Sequence, residues 1–259
     1  MIPSPVVATT ITITQNTPNI SNIQQDDVIY LGENHDSANI HQQQLAIITQ
    51  LQHNDRNSDY QLAIAFEMFQ RPFQGFLDRY LAGVISEQQL KEQTEYETRW
   101  GFDWEFYAPI LRFAKEQHIP LIALNTPTEI TRKVAESGIE SLAGSDFRYI
   151  PPLSEIKLDN ELYRQRLNEI YQQHFGDQAG NSTDADNFFA AQVLWDETMA
   201  EAIAFYWQNH PQSQIATLVG QAHIMYDYAI PARVARRIDS HNFTQTSLLL
   251  QDNQDDNPK

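Results

Sequence analysis

Two short motifs near opposite ends of the chain carry residue types that can do chemistry. Gly32-Glu33-Asn34-His35 and Gly220-Gln221-Ala222-His223 each place a histidine three residues after a glycine. Imidazole and carboxylate side chains are ligands for zinc, iron, manganese or nickel, and they also serve as general acids and bases. Glycine lets the backbone turn sharply and come close to a ligand. The motifs therefore predict a metal centre or an acid–base site.

Each motif follows an apolar run that is typical of a buried strand, Val28–Leu31 before the first motif and Ile215–Val219 before the second. Glu67 follows a third such run, and Asn125 follows a fourth. In an open parallel sheet the carboxyl ends of the strands border one crevice. We therefore expect the side chains after these four runs to meet at one edge of the sheet.

The predicted metal ligands are the two motif histidines and two glutamates, namely His35, His223, Glu33 and Glu67. In a hydrolase, either glutamate could instead act as the general base on a metal-bound water. Glu67 lies between apolar residues, where an unpaired carboxylate is costly, so it needs either Arg71 or a metal as its partner. The alternative is that all these residues are hydrogen-bonded groups that only hold the edge of the sheet together.

The segment Trp100–Tyr107 is unusually rich in aromatic residues. One interpretation is a core patch that joins a helical segment to the sheet. The other is the apolar wall of a pocket for a flat ligand, in which a tyrosine phenolate could bind iron. The residues themselves leave both interpretations open.

Strands alternate with helices along most of the chain, which predicts an α/β fold with three layers, a mostly parallel sheet flanked by helices. Residues 70–118 have a mostly helical pattern, and part of this stretch is expected to be a helical insertion after the second strand. Residues 26–250 are predicted to form a single α/β domain between an irregular N-terminal arm at 1–25 and a disordered tail at 251–259. Within the arm, the β-branched residues of Val6–Ile13 favour a strand.

Composition and charge exclude several classes of function. The formal net charge is −17, from 17 basic and 34 acidic residues, and a field of this sign repels nucleic acid and anionic lipid. The chain has no cysteine, which excludes disulfides, thiolate metal sites and cysteine nucleophiles. No segment approaches the roughly 20 apolar residues of a membrane-spanning helix. Glycine-rich nucleotide-binding loops and the serine-hydrolase elbow are also missing from the sequence.

The first residues of the chain lack the basic stretch and apolar core of a signal peptide. The expected location is therefore the cytoplasm. If a leader has been removed from the chain, the expected location is instead outside the cytoplasm or at a membrane.

Several motifs, in this order and spacing, resemble the ChaN-like family of haem-binding uptake proteins in the Tiki superfamily. The likeness spans Val28 to Arg237, which is most of the chain. The segments that carry it are Leu31–Asp36 with His41 and Gln44, Phe66–Phe69 with Gln74, Leu77 and Asp78, Trp100–Trp104 with Tyr107–Ile110, Ala123–Pro127, Trp195–Ala200, and Gly220–His223 with Tyr228, Ile230 and Pro231.

The resemblance implies an α/β fold with a helical insertion and a role in haem or iron uptake or handling. It implies haem as the small-molecule ligand, bound by a tyrosine with help from a histidine, in an arrangement that a homodimer could share. The residues expected to contact haem are Tyr107, Tyr228, His41, Arg71 and Asn125.

Other branches of the superfamily resemble metal-dependent peptidases or esterases. In this chain their roles would fall on Glu33, His35, Glu67 and His223, with a divalent transition metal as the cofactor in place of haem. Haem binding and metal-dependent hydrolysis therefore both remain open, and both use the same crevice.

Overall fold

In the computed structural model, which describes residues 8–14, 20–53, 61–175, 182–225 and 228–252, six strands form one all-parallel sheet. The order across the sheet is β1-β6-β2-β5-β3-β4. The predicted α/β fold with a mostly parallel sheet is therefore confirmed. The strands are β1 (Thr9–Ile13), β2 (Val28–Glu33), β3 (Gln61–Gln70), β4 (Leu121–Asn125), β5 (Ser213–Gly220) and β6 (Gln245–Leu250).

Nine helices flank the sheet within those ranges. Helices α2 to α5 lie between β3 and β4 in the chain, so the predicted helical insertion is present. The helices are α1 (Ala38–Gln52), α2 (Gln74–Leu81), α3 (Glu87–Gln93), α4 (Tyr96–Arg99), α5 (Trp104–Glu116), α6 (Thr128–Ser137), α7 (Glu161–Phe175), α8 (Ser182–Asn209) and α9 (Ile230–Arg237).

Both faces of the sheet are buried, which explains why the strands are continuous apolar runs. Successive side chains of a strand point to opposite faces. Ile29 and Leu31 of β2 therefore join a core that contains residues of α1 and α5, whereas Val28 and Tyr30 join a second core that contains residues of α8 and α9. These two cores and the sheet form the three predicted layers.

The expectation of an irregular arm over residues 1–25 is wrong for Thr9–Ile13. This segment forms the edge strand β1, which pairs in parallel with β6 from Thr9↔Thr246 to Ile13↔Leu250. Its β-branched residues fit a pleated, half-buried surface, as the strand interpretation of Val6–Ile13 anticipated. Residues 1–7 and 15–19 of the arm, and 253–259 of the predicted tail, lie outside the described residues.

One strand is longer than its apolar run suggests. β3 continues to Gln70, so Glu67 lies inside the strand and not after it. The pairing of β3 with β5 nevertheless ends at Phe66↔Leu218, and the register with β4 shifts between Phe66 and Gln70. Glu67 therefore begins the part of β3 that extends beyond its ladder with β5.

None of the helices in the described residues has the length and apolar character needed to cross a lipid bilayer.

Candidate functional site at the carboxyl edge of the sheet

The two glycine–histidine motifs lie side by side at the carboxyl edge of the sheet. β2 and β5 are neighbours in the middle of the sheet, and Glu33 pairs directly with Gly220. β3 flanks β5 on its other side, which brings Glu67 to the same place. The structure therefore brings Glu33, His35, Glu67 and His223 together, as the strand-end argument predicts.

Glu33 is a buried carboxylate, 2% exposed, and three side chains satisfy it. Its Oε1 accepts a hydrogen bond from the Tyr107 hydroxyl at 2.7 Å and lies 2.9 Å from His35 Nδ1. Its Oε2 accepts one from Gln44 Nε2 at 2.6 Å. Burial alone would raise the pKa of Glu33, but the bond with His35, the charge of His41 and the Tyr107 bond outweigh it and lower the pKa. Glu33 is therefore a charged anchor for the site.

His35 is the more exposed of the two motif histidines, with 28% of its side chain exposed against 10% for His223. Burial would lower its pKa, but the bond with Glu33 and the nearby charge of Glu67 raise it. Nδ1 is held by Glu33, whereas Nε2 has no hydrogen-bond partner in the part of the chain that the structure describes. The ring meets Trp100 edge-on at 4.7 Å and Phe102 at 5.0 Å. One ring nitrogen is therefore fixed and the other is available.

Glu67 finds its partners in the second motif. Its Oε2 accepts a hydrogen bond from the Gly220 backbone N–H at 2.7 Å, and its Oε1 lies 3.4 Å from His223 Nε2. The expectation that Arg71 could neutralise Glu67 is wrong, because Arg71 forms an ion pair with Glu201 of α8. The backbone turn at Gly220 and the imidazole of His223 fill that role.

His223 is buried between two carboxylates. Its Nδ1 lies 2.6 Å from Asp196 Oδ1, and Asp196 Oδ2 accepts a hydrogen bond from the Tyr163 hydroxyl at 2.6 Å. Burial would lower the pKa of His223, but the charge of Glu67 and the bond with Asp196 raise it to about 9. These neighbours therefore favour the protonated, imidazolium form of His223.

Asp196 is a site residue that sequence reasoning missed. It lies in the family-like segment Trp195–Ala200 and is completely buried in α8. The signal that could have found it is the acidic pair Asp196-Glu197 within a helix whose other residues are mostly apolar, because buried acids need partners. The acidic pair alone does not indicate that His223 is the partner of Asp196.

Of the remaining predicted residues, His41 and Tyr107 lie together beside Glu33, with their ring centroids 4.6 Å apart, whereas Asn125 forms a local contact of its own. His41 stacks on Phe106 at 5.0 Å and contacts the His35 backbone oxygen through Nε2 at 3.2 Å, so it supports the turn that carries His35. Asn125 Oδ1 accepts a hydrogen bond from the Thr126 backbone at 2.8 Å. Tyr107 is a fully buried residue of α5.

Tyr228 belongs to the opposite side of the sheet from Tyr107. It packs against the core cluster formed by α6, α7 and α8, and its ring centroid lies 6.5 Å from that of Tyr163. It borders a cavity of about 70 Å³ that Tyr163 and Met225 also line. The structure therefore does not bring the two candidate haem tyrosines together.

No three histidine, aspartate or glutamate side chains are arranged to hold one metal ion across the described ranges, which have gaps at 15–19, 54–60, 176–181 and 226–227. Of the four predicted ligands, Glu33 is hydrogen-bonded with His35, and Glu67 Oε1 lies 3.4 Å from His223 Nε2. The other ring nitrogen of His223 is held by Asp196, which was not among the predicted ligands.

These observations define the class of protein, a three-layer α/β fold with two histidines and their buried acidic partners at the carboxyl edge of the sheet. The family model described as haem-binding uptake, Tiki superfamily, ChaN matches residues 19–234. The match covers most of the chain, and the chain therefore belongs to this family.

Two individual proteins show how far the similarity extends. The solved structure of cofacial heme binding to ChaN of Campylobacter jejuni superposes with a TM-score of 0.69 at 18% identity, over 88% of this chain and 82% of that one, which shows a common fold. Protein RETICULATA-RELATED 5, chloroplastic, of Arabidopsis thaliana is 26% identical over 209 residues. That alignment covers 75% of this chain but only 27% of the plant protein, so the chain spans about a quarter of its curated relative.

Proposed function

We propose that this protein binds haem at the carboxyl edge of the sheet, in haem or iron uptake or handling, and that His35 contacts the iron. One observation carries the proposal: His35 is anchored through Nδ1 on Glu33 at 2.9 Å and keeps Nε2 available. A hydrogen bond on the far nitrogen is how proteins orient an imidazole ligand and raise its basicity.

The surroundings of His35 suit a flat, apolar ligand. Trp100 and Phe102 stand against the imidazole ring and are only partly buried. Aromatic side chains at an exposed crevice favour stacking with a conjugated ring system. Bound haem would supply the iron centre, and this chain would supply the imidazole and the apolar wall.

Of the two tyrosine candidates, Tyr228 fits an iron-binding role better than Tyr107. Burial, the charge of Glu33 and the hydrogen bond to Glu33 raise the pKa of Tyr107 far above its usual value, which opposes the phenolate that binds iron. Its hydroxyl is also needed as a donor to Glu33. We therefore propose that Tyr107 supports Glu33 and that Tyr228 is the tyrosine to test.

A homodimer would complete the ligand site. Pockets that enclose small ligands commonly have about 300–1,000 Å³, and the cavity beside Tyr228 has only about 70 Å³. That cavity cannot enclose a haem, and a haem bound at His35 would lie against Trp100 and Phe102 and need cover on its other face. ChaN of Campylobacter jejuni is a case of cofacial haem binding, and two copies of this chain with facing haems would provide that cover.

Titration of the purified protein with haemin tests the proposal. We expect a saturable shift of the Soret band, and we expect His35→Ala to weaken binding at least tenfold. His241→Ala serves as the control, because His241 is exposed and precedes β6 at the opposite edge of the sheet. Tyr228→Phe, compared with Tyr107→Phe, separates the two tyrosines. If the Soret band of haemin shows no saturable shift with the wild-type protein, the proposal is wrong.

The Glu33–His35 pair also supports a second candidate function, hydrolysis of an ester or peptide. An imidazole oriented by a carboxylate, with its other nitrogen available and Glu67 nearby, is the arrangement of a general base that activates water. A panel of activated esters and peptides, with and without added Zn²⁺ or Mn²⁺, tests it. Turnover that disappears in His35→Ala and Glu33→Gln would support a hydrolase; equal background rates in all three proteins would exclude it for those substrates.

A further inference from the structure

Three arginines of α9 gather around one buried carboxylate on the neighbouring helix α8. Glu197 has no solvent exposure, and its Oε2 is paired with Arg236 Nη2 and Arg237 Nη1, both at 2.7 Å. Arg233 Nε lies 3.6 Å from Oε1 of the same carboxylate. A second acid, Glu155, is half exposed and stands 3.8 Å from Arg237 Nε. The arginine cluster (Arg233, Arg236 and Arg237) thus sets three positive charges against one buried and one exposed negative charge.

Four nitrogen atoms of this cluster make no hydrogen bond, although two of them, Arg233 Nε and Arg237 Nε, stand in ion-pair range of a glutamate. Nε and Nη2 of both Arg233 and Arg237 are buried and have no hydrogen-bond partner within the described part of the chain. Arg233 is 4% exposed, and the side chain of Arg237 is 10% exposed. Buried donors are almost always paired in folded proteins, and an unpaired donor on a charged group is especially unfavourable. At 3.6 and 3.8 Å, Glu197 and Glu155 are too far from the two Nε atoms to accept hydrogen bonds, so an acceptor from outside the described chain would satisfy these donors.

The unused atoms form the same edge of each guanidinium. Nε and Nη2 together bind a carboxylate or phosphate through two parallel hydrogen bonds. The remaining nitrogen of each side chain is already engaged, since Arg233 Nη1 donates to the Tyr228 oxygen at 3.0 Å and Arg237 Nη1 to the Arg233 oxygen at 3.1 Å. Arg233 also lies over the Tyr163 ring, 5.5 Å from Cζ to the centroid. Both guanidinium groups are thus held in place, while the Nε and Nη2 edge of each makes no hydrogen bond.

We propose that the arginine cluster binds an oxyanion, either a carboxylate or a phosphate group, through the Nε and Nη2 edges of Arg233 and Arg237. The local surplus of positive charge favours an anion over water as the missing acceptor, because charges interact strongly in a buried environment. Arg236, which is 36% exposed, connects the cluster with solvent. The proposal does not depend on haem binding, although a haem carboxylate is one source of the oxyanion and free phosphate is the other.

Titration of the wild-type protein with inorganic phosphate tests the site directly. Chloride keeps the ionic strength constant, and NMR follows the arginine Nε–H signals while thermal melting follows stability. We expect two Nε–H signals to shift saturably and the melting temperature to rise. Arg233→Lys and Arg237→Lys keep the charge but lose the two-point edge, so each should weaken phosphate binding at least tenfold. Arg112→Lys is the matched control, since Arg112 is half exposed and paired with other acids.

A second arm distinguishes the sources of the oxyanion. Haemin and its dimethyl ester, which lacks free carboxylates, are compared on the wild type and on Arg237→Lys. If the wild type binds haemin more tightly than the ester, and Arg237→Lys binds the two equally, the Nε and Nη2 edge of Arg237 binds a haem carboxylate. If neither phosphate nor acetate shifts the Nε–H signals, and haemin and its ester bind equally, water alone fills the site and the proposal is wrong. The wild-type NMR titration decides this even if a variant fails to fold.

Discussion

Each motif histidine is held by a buried carboxylate at its Nδ1, but the two histidines differ in what surrounds the other ring nitrogen. Glu33 holds His35 by Nδ1 and leaves Nε2 without a hydrogen-bond partner among the described residues, on the side of the ring that faces Gly220. His223 has Asp196 on one nitrogen and Glu67 near the other. His35 is thus able to meet a ligand, whereas His223 acts as a charged bridge between α8 and β3. Similar motifs therefore have different tasks.

The pH dependence of stability should report the charged state of His223. Its pKa is raised from 6.5 to about 9 by its carboxylate neighbours, so its stabilising effect is fully present below pH 6.5 and is lost as the pH rises through 9. A shift of this size corresponds to roughly 3 kcal/mol. We expect His223→Gln to lower the free energy of unfolding most at pH 6 and least at pH 10, measured by urea denaturation. His241→Gln is the control. A constant difference between wild type and His223→Gln over this range would contradict the bridge.

Replacement of Glu33 should cost more stability than loss of any single bond to it. Glu33→Gln replaces one carboxylate oxygen, which accepts hydrogen bonds, with an NH2 group, which donates them. The neighbouring side chains also donate, so the new NH2 group has no acceptor. A buried donor without an acceptor costs about 1–3 kcal/mol. Tyr107→Phe removes only the hydroxyl that donates to Oε1 at 2.7 Å. We expect Glu33→Gln to be the more destabilising variant in thermal and urea unfolding. Equal unfolding free energies for Glu33→Gln and the wild type would show that the charge of Glu33 is not needed.

At the level of the elements, the two motif glycines are required for different contacts. A Cβ on Gly32 would stand 2.7 Å from Ile224 Cδ1 and 3.1 Å from the backbone oxygen of Leu248, so this glycine lets β2 pack against its neighbours. A Cβ on Gly220 would stand 3.0 Å from Cε1 and 3.1 Å from Nε2 of His35. The second glycine therefore makes room for the histidine of the first motif.

Gly220→Ala should impair ligand binding more than folding. The backbone of Gly220 has φ −57°, which alanine adopts readily, so the added methyl group acts mainly by displacing the His35 ring. We expect at least a tenfold loss of haemin affinity with a modest loss of stability. Gly75→Ala is the control, because a Cβ there meets nothing within 4 Å, and inside α2 it should stabilise the protein by about 0.5–1 kcal/mol. Unchanged haemin affinity in Gly220→Ala would contradict the proposed contact.

The outer edge of β4 is closed by one side chain. Gln74 Nε2 donates to the Leu121 oxygen, and Gln74 Oε1 accepts from the Ala123 N–H, both at 2.8 Å. The amide thus takes the place of a further strand and blocks pairing with another chain. We expect Gln74→Ala to lower the unfolding free energy by about 1–2 kcal/mol and to increase aggregation measured by light scattering.

Gln88→Ala is the matched control for the edge of β4. Gln88 contacts only the exposed Glu92 side chain on the same helix, so its loss should change stability by about 0.5 kcal/mol at most. If Gln74→Ala and Gln88→Ala melt and scatter alike, the edge does not depend on the amide.

For the molecule as a whole, the local features could be predicted and the long-range ones could not. Buried strands are visible as apolar runs, so the meeting of Glu33 and His35 with Glu67 and His223 at one edge follows from the parallel-sheet rule. The direct pairing of Glu33 with Gly220 depends on the strand order, which no local pattern records. The partnership of Asp196 with His223 likewise depends on how α8 packs on the sheet.

The aromatic segment shows the same limit. Tyr107 belongs to the buried core, as the first interpretation predicts, while Trp100 and Phe102 are partly buried beside His35. The second interpretation, the wall of a ligand pocket, stays a prediction. Helical periodicity indicates which residues of α5 are buried, but it does not reveal that Tyr107 reaches the carboxylate at the end of β2. Only the packing of the insertion on the sheet decides that contact.

The central claim is that His35 contacts the iron of bound haem. Its most direct test is a haemin titration of the wild type and of His35→Gly at several pH values from 6 to 9. The titration of His35→Gly is repeated with added imidazole. The neighbouring carboxylates raise the pKa of His35, and only neutral imidazole can bind iron. We predict that wild-type affinity strengthens as the pH rises through this raised pKa. We also predict that His35→Gly binds weakly without that dependence, and that free imidazole restores the wild-type Soret band. Identical titrations of the two proteins, with no effect of imidazole, would contradict the claim.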